Sequence, residues 1–181
     1  MSVSMKLEGL GDVYQVFQDL ADEIGDKKAK SKILVPAVRE AMKPVLSTAQ
    51  SLAPVDTGGL RLSLLIEARR PTKKDMRSKY VNQTDTVIAL VTTASGKKLH
   101  AMSEGKGLLR ARKQLQKMGL NAEKFKGITS DPRAIAQEFG SAANPSHPYL
   151  RPALESQSQG VVAKLSTILA NRIEKFKRKM T

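Results

Sequence analysis

Few residues in this chain could do chemistry. Of the two histidines, His100 stands alone in a basic stretch, and His147 lies between Ser146 and Pro148 with no metal-ligand spacing around it. Glu138 and Asp131 could pair as carboxylates, but no further acid follows at a spacing that completes an acid–base or hard-cation site. Ser63 has no evident base to activate it. The Gly58-Gly59 pair lacks the additional glycines and the Lys-Ser/Thr of a phosphate loop, so it reads as a tight turn. The absence of cysteine excludes disulfides, thiolate zinc sites, iron–sulfur clusters and a cysteine nucleophile. The expectation is a protein that is not an enzyme and uses no cofactor or metal.

Composition points instead to binding or structure. In 181 residues, 31 Lys and Arg stand against 17 Asp and Glu, a net charge of +14 that favours an acidic neighbour. Aromatic residues make up only 4% and tryptophan is absent, which supplies a base-stacking platform poorly. No apolar run approaches the roughly 18–20 residues that cross a bilayer. Met1 to Gly11 lacks the charged-then-apolar order of a signal peptide. At 40% hydrophobic residues the chain can bury one core, so a single domain is expected.

Periodicity outlines the scaffold. Leu10, Val13, Phe17, Leu20 and Ile24 recur at helical spacing over 8–25. A second helix is expected from Ser31, as N-cap, to Leu52, kinked at Pro44 where a backbone donor is missing. Leu60 to Ala68 alternates as a strand and Thr84 to Thr93 as another; with no crossover helix between them, an antiparallel pair follows. Residues 95–132 read as a long basic insertion containing a short helix that ends at Gly119. Arg133 to Phe139 is helical and closed by Gly140, 141–148 is irregular, and Arg151 to Lys177 is a last helix. The fold class is α+β, helices packed on a small antiparallel sheet, with the basic insertion at about 95–132 and a C-terminal helix.

The positive charge is uneven. Arg69–Lys79 carries net +5, Lys97–Lys126 net +7 and Arg172–Lys179 net +4, which leaves −2 for the remainder. The charge thus sits on a loop, an insertion and a tail. These segments are either solvated surface that keeps the chain in solution or a footprint for phosphate backbone or an acidic protein. Lys106, Arg110, Lys113 and Lys117 share one helical face suited to such a contact.

Two phrases are more distinctive. One runs Ala53-Pro54-Val55-Asp56-Thr57-Gly58-Gly59-Leu60-Arg61-Leu62-Ser63. The other runs Glu138-Phe139-Gly140-Ser141, then Pro145 and His147-Pro148-Tyr149-Leu150-Arg151-Pro152-Ala153. In the first, Asp56 and Thr57 can bond nearby amides while Gly58 or Gly59 supplies a positive φ. Arg61 and Ser63 are expected to face away from Leu62 and Leu64, towards a neighbour. In the second, Phe139 is expected to anchor a helix end and Gly140 to allow the reversal. Pro148 stiffens the loop, and Tyr149 and Leu150 enter the core. Arg151 is free to pair with Glu138 or a neighbour, and Pro152 suits a first helical turn.

Together, in this order and over most of the chain, the phrases resemble the neck, or tail-completion, proteins of long-tailed bacteriophages, a family of minor virion proteins. Ser141 stands where the family usually has Thr and Tyr149 where it has Phe, and the 95–132 insertion is longer than typical. The resemblance implies a structural protein of the virion, made in the host cytoplasm. It would form a ring at the head–tail junction, with six copies suiting a six-fold tail, that completes the tail and joins it to the capsid connector while DNA passes through. The implied partners are further copies of itself, the connector or head-completion protein, and the tail-terminator or tail-tube protein, with DNA contact through the insertion or docking of it on an acidic ring. A sheet edge and the kinked helices would offer the two unlike faces a ring needs. The alternative reading, from charge alone, is a sequence-independent nucleic-acid-binding protein.

Overall fold

The computed structural model describes residues 15, 18–19, 21–22, 25, 29–56, 58–79, 81–82, 85–94, 104–123, 125, 131–142 and 144–179. The expected helix over 8–25 lies mostly outside these; Gln15, Gln18, Asp19, Ala21 and Asp22 are helical. Helices pack on a two-stranded antiparallel sheet. The elements are a π-helical turn (Lys30–Leu34), α1 (Val35–Ala41), α2 (Lys43–Leu52), α3 (Gly59–Ser63), β1 (Leu64–Arg69), a 3-10 turn (Asp75–Arg77), β2 (Ile88–Thr93), α4 (Gly105–Lys117), α5 (Asp131–Phe139) and α6 (Leu150–Lys177). Where one domain was expected, chain contacts divide it into two compact units. The first comprises Met1–Lys43, Glu67–Leu90 and Ser158–Thr181, the second Pro44–Ile66 and Val91–Gln157.

In the first unit, Ala29, Ile33 and Ala37 recur at intervals of four and bury one stripe with Ala21, Leu169 and Ile173. Alanine on this stripe lets backbones approach closely, and the larger volumes come from the α6 side, where Leu165, Ile168 and Phe176 flank the cluster. Above it, the Arg172 guanidinium donates to Glu40 Oε2 at 2.6 Å, and this bond holds the Glu40 carboxyl below its ordinary value. Ser31 is not the N-cap expected of it. Ala29 is already helical, its N–H donating to Gly25 O at 3.1 Å, so Ser31 falls inside the π turn. The wide turn directly precedes Pro36, whose ring would crowd the carbonyl four residues back in a regular ladder. The helix is interrupted at Met42, two residues before Pro44, which enters α2 at its second position where a missing N–H is harmless.

The expected Leu60–Ala68 strand forms only from Leu64 onward, because its first part is the helical turn α3. Leu62 N–H donates to Gly58 O at 3.2 Å and Ser63 Oγ to Leu60 O at 2.6 Å, so local bonds capture the segment before pairing can. The sheet register sets Ser63 opposite Ala94, whose N–H donates to Ser63 O at 2.7 Å. The second strand runs from Ile88; Thr84, where it was expected to start, lies outside the described residues. Ahead of it, Asp85 N–H donates to Asn82 O and the Asp85 carboxylate accepts Asn82 N–H at 2.9 Å.

Ile33, 1% exposed, is the one large side chain among the alanines of its stripe. Ile33→Ala is expected to cost about 2–5 kcal/mol of stability, read from the urea unfolding midpoint.

Candidate functional site

Both distinctive phrases and the basic helix belong to the second unit. The first phrase begins where α2 ends at Leu52 with carbonyls to satisfy. Arg61 reaches back to them, Nη2 donating to Ser51 O at 2.9 Å and Nε to Ala53 O at 3.2 Å. Gln50 Nε2 closes the loop by donating to Arg61 O at 3.1 Å. The guanidinium therefore sits at the negative pole of α2 and clamps the turn. Gly58 supplies the positive φ, at 76°, and is itself the residue before α3. A Cβ there would stand 2.5 Å from Leu115 Cδ2. Asp56 is exposed, and Thr57 lies outside the described residues. Gly59 and Leu60 are buried at the start of α3. Two expectations are corrected here. Ser63 is fully buried, not turned to a neighbour, because the helical turn rotates it inward. Arg61 is engaged within its own chain.

The second phrase is built around Glu138, which is 5% exposed. Its Oε2 accepts the N–H groups of Tyr149 and Leu150 at 2.8 and 2.9 Å, and Oε1 that of Arg151 at 3.2 Å. These are the cap and first two positions of α6; the next residue, Pro152, has no N–H to satisfy. One carboxylate thus answers every open donor at this helix start and places its charge at the positive pole. The expected Arg151–Glu138 contact exists through the main chain. The Arg151 guanidinium instead lies 5.9 Å from the centroid of the Phe139 ring. Phe139 does not anchor the helix end as expected: it is 67% exposed, and Tyr149, fully buried, fills the core in its place. Gly140, at φ 82°, ends α5. A Cβ on it would lie 3.1 Å from Ser146 N. Ser141 and Asn144 bridge, and His147 N–H donates to Gln137 O at 2.7 Å, bringing exposed Pro148 and then Tyr149 back under α5. Burial, with the nearby Glu138 charge, pushes the Tyr149 hydroxyl up to about 12.

Lys106, Arg110, Lys113 and Lys117 are all exposed along α4. The opposite face is not an appendage. Ala111 and Leu115 are fully buried in a cluster with Leu62, Ala122 and Phe125. The helix ends in a Schellman motif: Gly119 at φ 72°, with Leu120 N–H on Leu115 O and Gly119 N–H on Gln116 O, both at 3.0 Å. The expectation that the cations ride on an insertion apart from the core is therefore wrong for this helix. The other basic segments are partly neutralised. Arg69 bridges Glu67 and Asp75. Asp75 also accepts from the Thr72 N–H and hydroxyl at 2.7 and 2.6 Å, and the Arg69 guanidinium, followed by these Thr72 donors, holds its carboxyl far below its ordinary value. Arg178 meets Glu174 at 3.6 Å, and Arg172 meets Glu40.

A shallow groove of about 210 Å³ runs between Val91–Thr93 of β2 and Ala134, Ile135, Glu138 and Phe139 of α5, closed by Tyr149 and Leu150. Its rim is apolar and open, with Ile135 and Phe139 one turn apart; on α6, Leu154, one turn beyond Leu150, is 51% exposed. Ile135 is not singled out by the sequence. No group of three or more His, Cys, Asp or Glu is placed to hold a metal ion among the described residues.

Gly58→Ala forces an L-residue to positive φ and is expected to lose about 1–2 kcal/mol in thermal unfolding, even if the Leu115 methyl moves aside. Glu138→Ala strands three donors and is expected to cost about 3 kcal/mol, with Glu138→Gln in between, measured by denaturant titration. Tyr149 binds its proton more tightly in the folded state, so its contribution is whole below pH 10 and is lost as pH rises toward 12. Tyr149→Phe should remove this alkaline limb from the stability–pH curve.

Comparison with protein-family models, with curated proteins and with solved structures gave no match to this chain.

Proposed function

We propose that this chain is a structural virion protein of a long-tailed bacteriophage. It forms a ring at the head–tail junction that completes the tail and joins it to the capsid connector, leaving a central path for DNA. The observation that carries the reading is the pair of phrases, Ala53–Ser63 and Glu138–Ala153, in the order and spacing of the neck proteins. In support, each phrase forms a closed structural device, and the two belong to one unit. No helix among the described residues is long and apolar enough to cross a membrane.

A ring subunit needs a surface that a further copy covers. Ile135 at 57% and Phe139 at 67% exposure, flanking the groove beside β2, are such a surface. Neighbours in the virion would be the connector or head-completion protein on one side and the tail-terminator or tail-tube protein on the other.

Deleting the gene from a phage genome that carries it tests the reading. Filled heads accumulating apart from free tails in negative-stain images are expected, and intact infectious particles would overturn it. Complementation with Phe139→Asp, whose ring is already in solvent, should give folded protein with an unchanged thermal transition but no joined particles.

A further inference from the structure

We infer that the exposed face of α4 is a contact for the phosphate backbone of duplex nucleic acid, made without regard to base sequence. Lys106, Arg110, Lys113 and Lys117 follow one another at steps of four, three and four residues and are all open to solvent. At 1.5 Å per residue they span about 16 Å of helix, along which a duplex presents one phosphate charge per ~1.7 Å. Among the described residues none of the four meets a carboxylate.

The arrangement works against the helix itself. From Gly105 to Ala122 there is no Asp or Glu. Lys106–Arg110 and Lys113–Lys117 are like-charge pairs at i,i+4, and Lys106 sits at the positive pole. Solubility alone is served by mixed signs, which would supply favourable pairs at the same positions. The buried Ala111 and Leu115 and the Schellman end hold the helix in spite of this repulsion. The cations are therefore presented on a fixed frame, ready for a polyanion.

The side-chain types select among polyanions. Three of the four are lysine, which protein interfaces disfavour and which serves phosphate well as a point charge. Exposed Gln114 and Gln116 beside them can donate to phosphate oxygens. The stripe contains no aromatic side chain on which an unpaired base could stack, so a duplex fits better than a single strand. The inference stands apart from the joining reading, since the purified chain alone can show it.

The test is fluorescence anisotropy of a labelled mixed-sequence DNA duplex of roughly 20 base pairs, titrated with the full chain at several salt concentrations. Lys106→Gln/Arg110→Gln/Lys113→Gln keeps good helix formers and is expected to reduce the slope of log K against log salt by about 2.7, some 0.9 per contact removed. Lys113→Gln alone should reduce it by about 0.9. The matched variant Lys73→Gln/Lys74→Gln/Arg77→Gln, on the basic loop, should leave the slope close to that of the parent. Three results would each overturn the inference: no duplex binding at low salt, an equal loss in the loop variant, or competition by poly-glutamate as strong as by unlabelled duplex, which would assign the face to an acidic protein. Equal binding of duplex RNA would support it, because the backbone chemistry is shared.

Discussion

The second unit depends on how α6 begins. Tyr149 stands at the cap position, where Ser, Thr, Asp or Asn would ordinarily bond the first turn, but its ring is buried in the core and cannot serve. The cap must come from elsewhere, and the Glu138 carboxylate supplies it across eleven residues. Charge-assisted bonds to three amides compensate for burying the carboxylate, since each is worth about 1.5–3 kcal/mol when made and its loss leaves a desolvated group behind. The chain between must then reverse within a fixed distance. Gly140 opens the reversal at positive φ, the Ser141–Asn144 bridge narrows it, and His147 N–H ties the return to Gln137. Pro152 completes the cap by having no donor to satisfy.

What sequence could reveal follows from the range of each effect. Proline and glycine act on their own backbone, so the break at Met42 ahead of Pro44, the end of α4 at Gly119 and the end of α5 at Gly140 are all legible. The α6 boundaries fall within a residue of expectation for the same reason. Leu62, Leu64, Ile66 and Ala68 alternate as a strand should, yet Gly58 O captures Leu62 N–H and bends the first half into helix. Alternation reports which faces are covered, and a single tight turn can satisfy the same burial. The role of Glu138 was out of reach because its partners are main-chain groups, which every residue has. Phe139 is apolar yet exposed, because Tyr149 fills the core in its place.

The basic segment 97–126 shows the same limit from the other side. Its net charge marks it as solvent-facing, and that describes Lys106, Arg110, Lys113 and Lys117 correctly. A helix has two faces, and Ala111 and Leu115 on the other are as buried as any residue in the protein. Leu115 is also the side chain against which Gly58 closes, so the first phrase and the basic helix share a packing surface. An average over the segment cannot see this, whereas the apolar spacing of Leu108, Leu115 and Met118 within it can.

The most recognisable residues are thus mostly those a partner cannot reach. Glu138, Tyr149 and Ser63 are buried, Arg61 is occupied with α2 carbonyls, and Gly58 and Gly140 are required by backbone angles and close neighbours. Such residues tie a sequence to a shape, and shape alone does not name an activity. The open chemistry of the second unit lies on residues that no phrase would single out, Ile135 and Leu154 together with the α4 cations, and on Phe139, which carries its ring outward from within a phrase. The proposed joining role would call for such a division of labour. In that role the frame would have to repeat identically around a ring, while the outer residues would be set by the neighbours on either side.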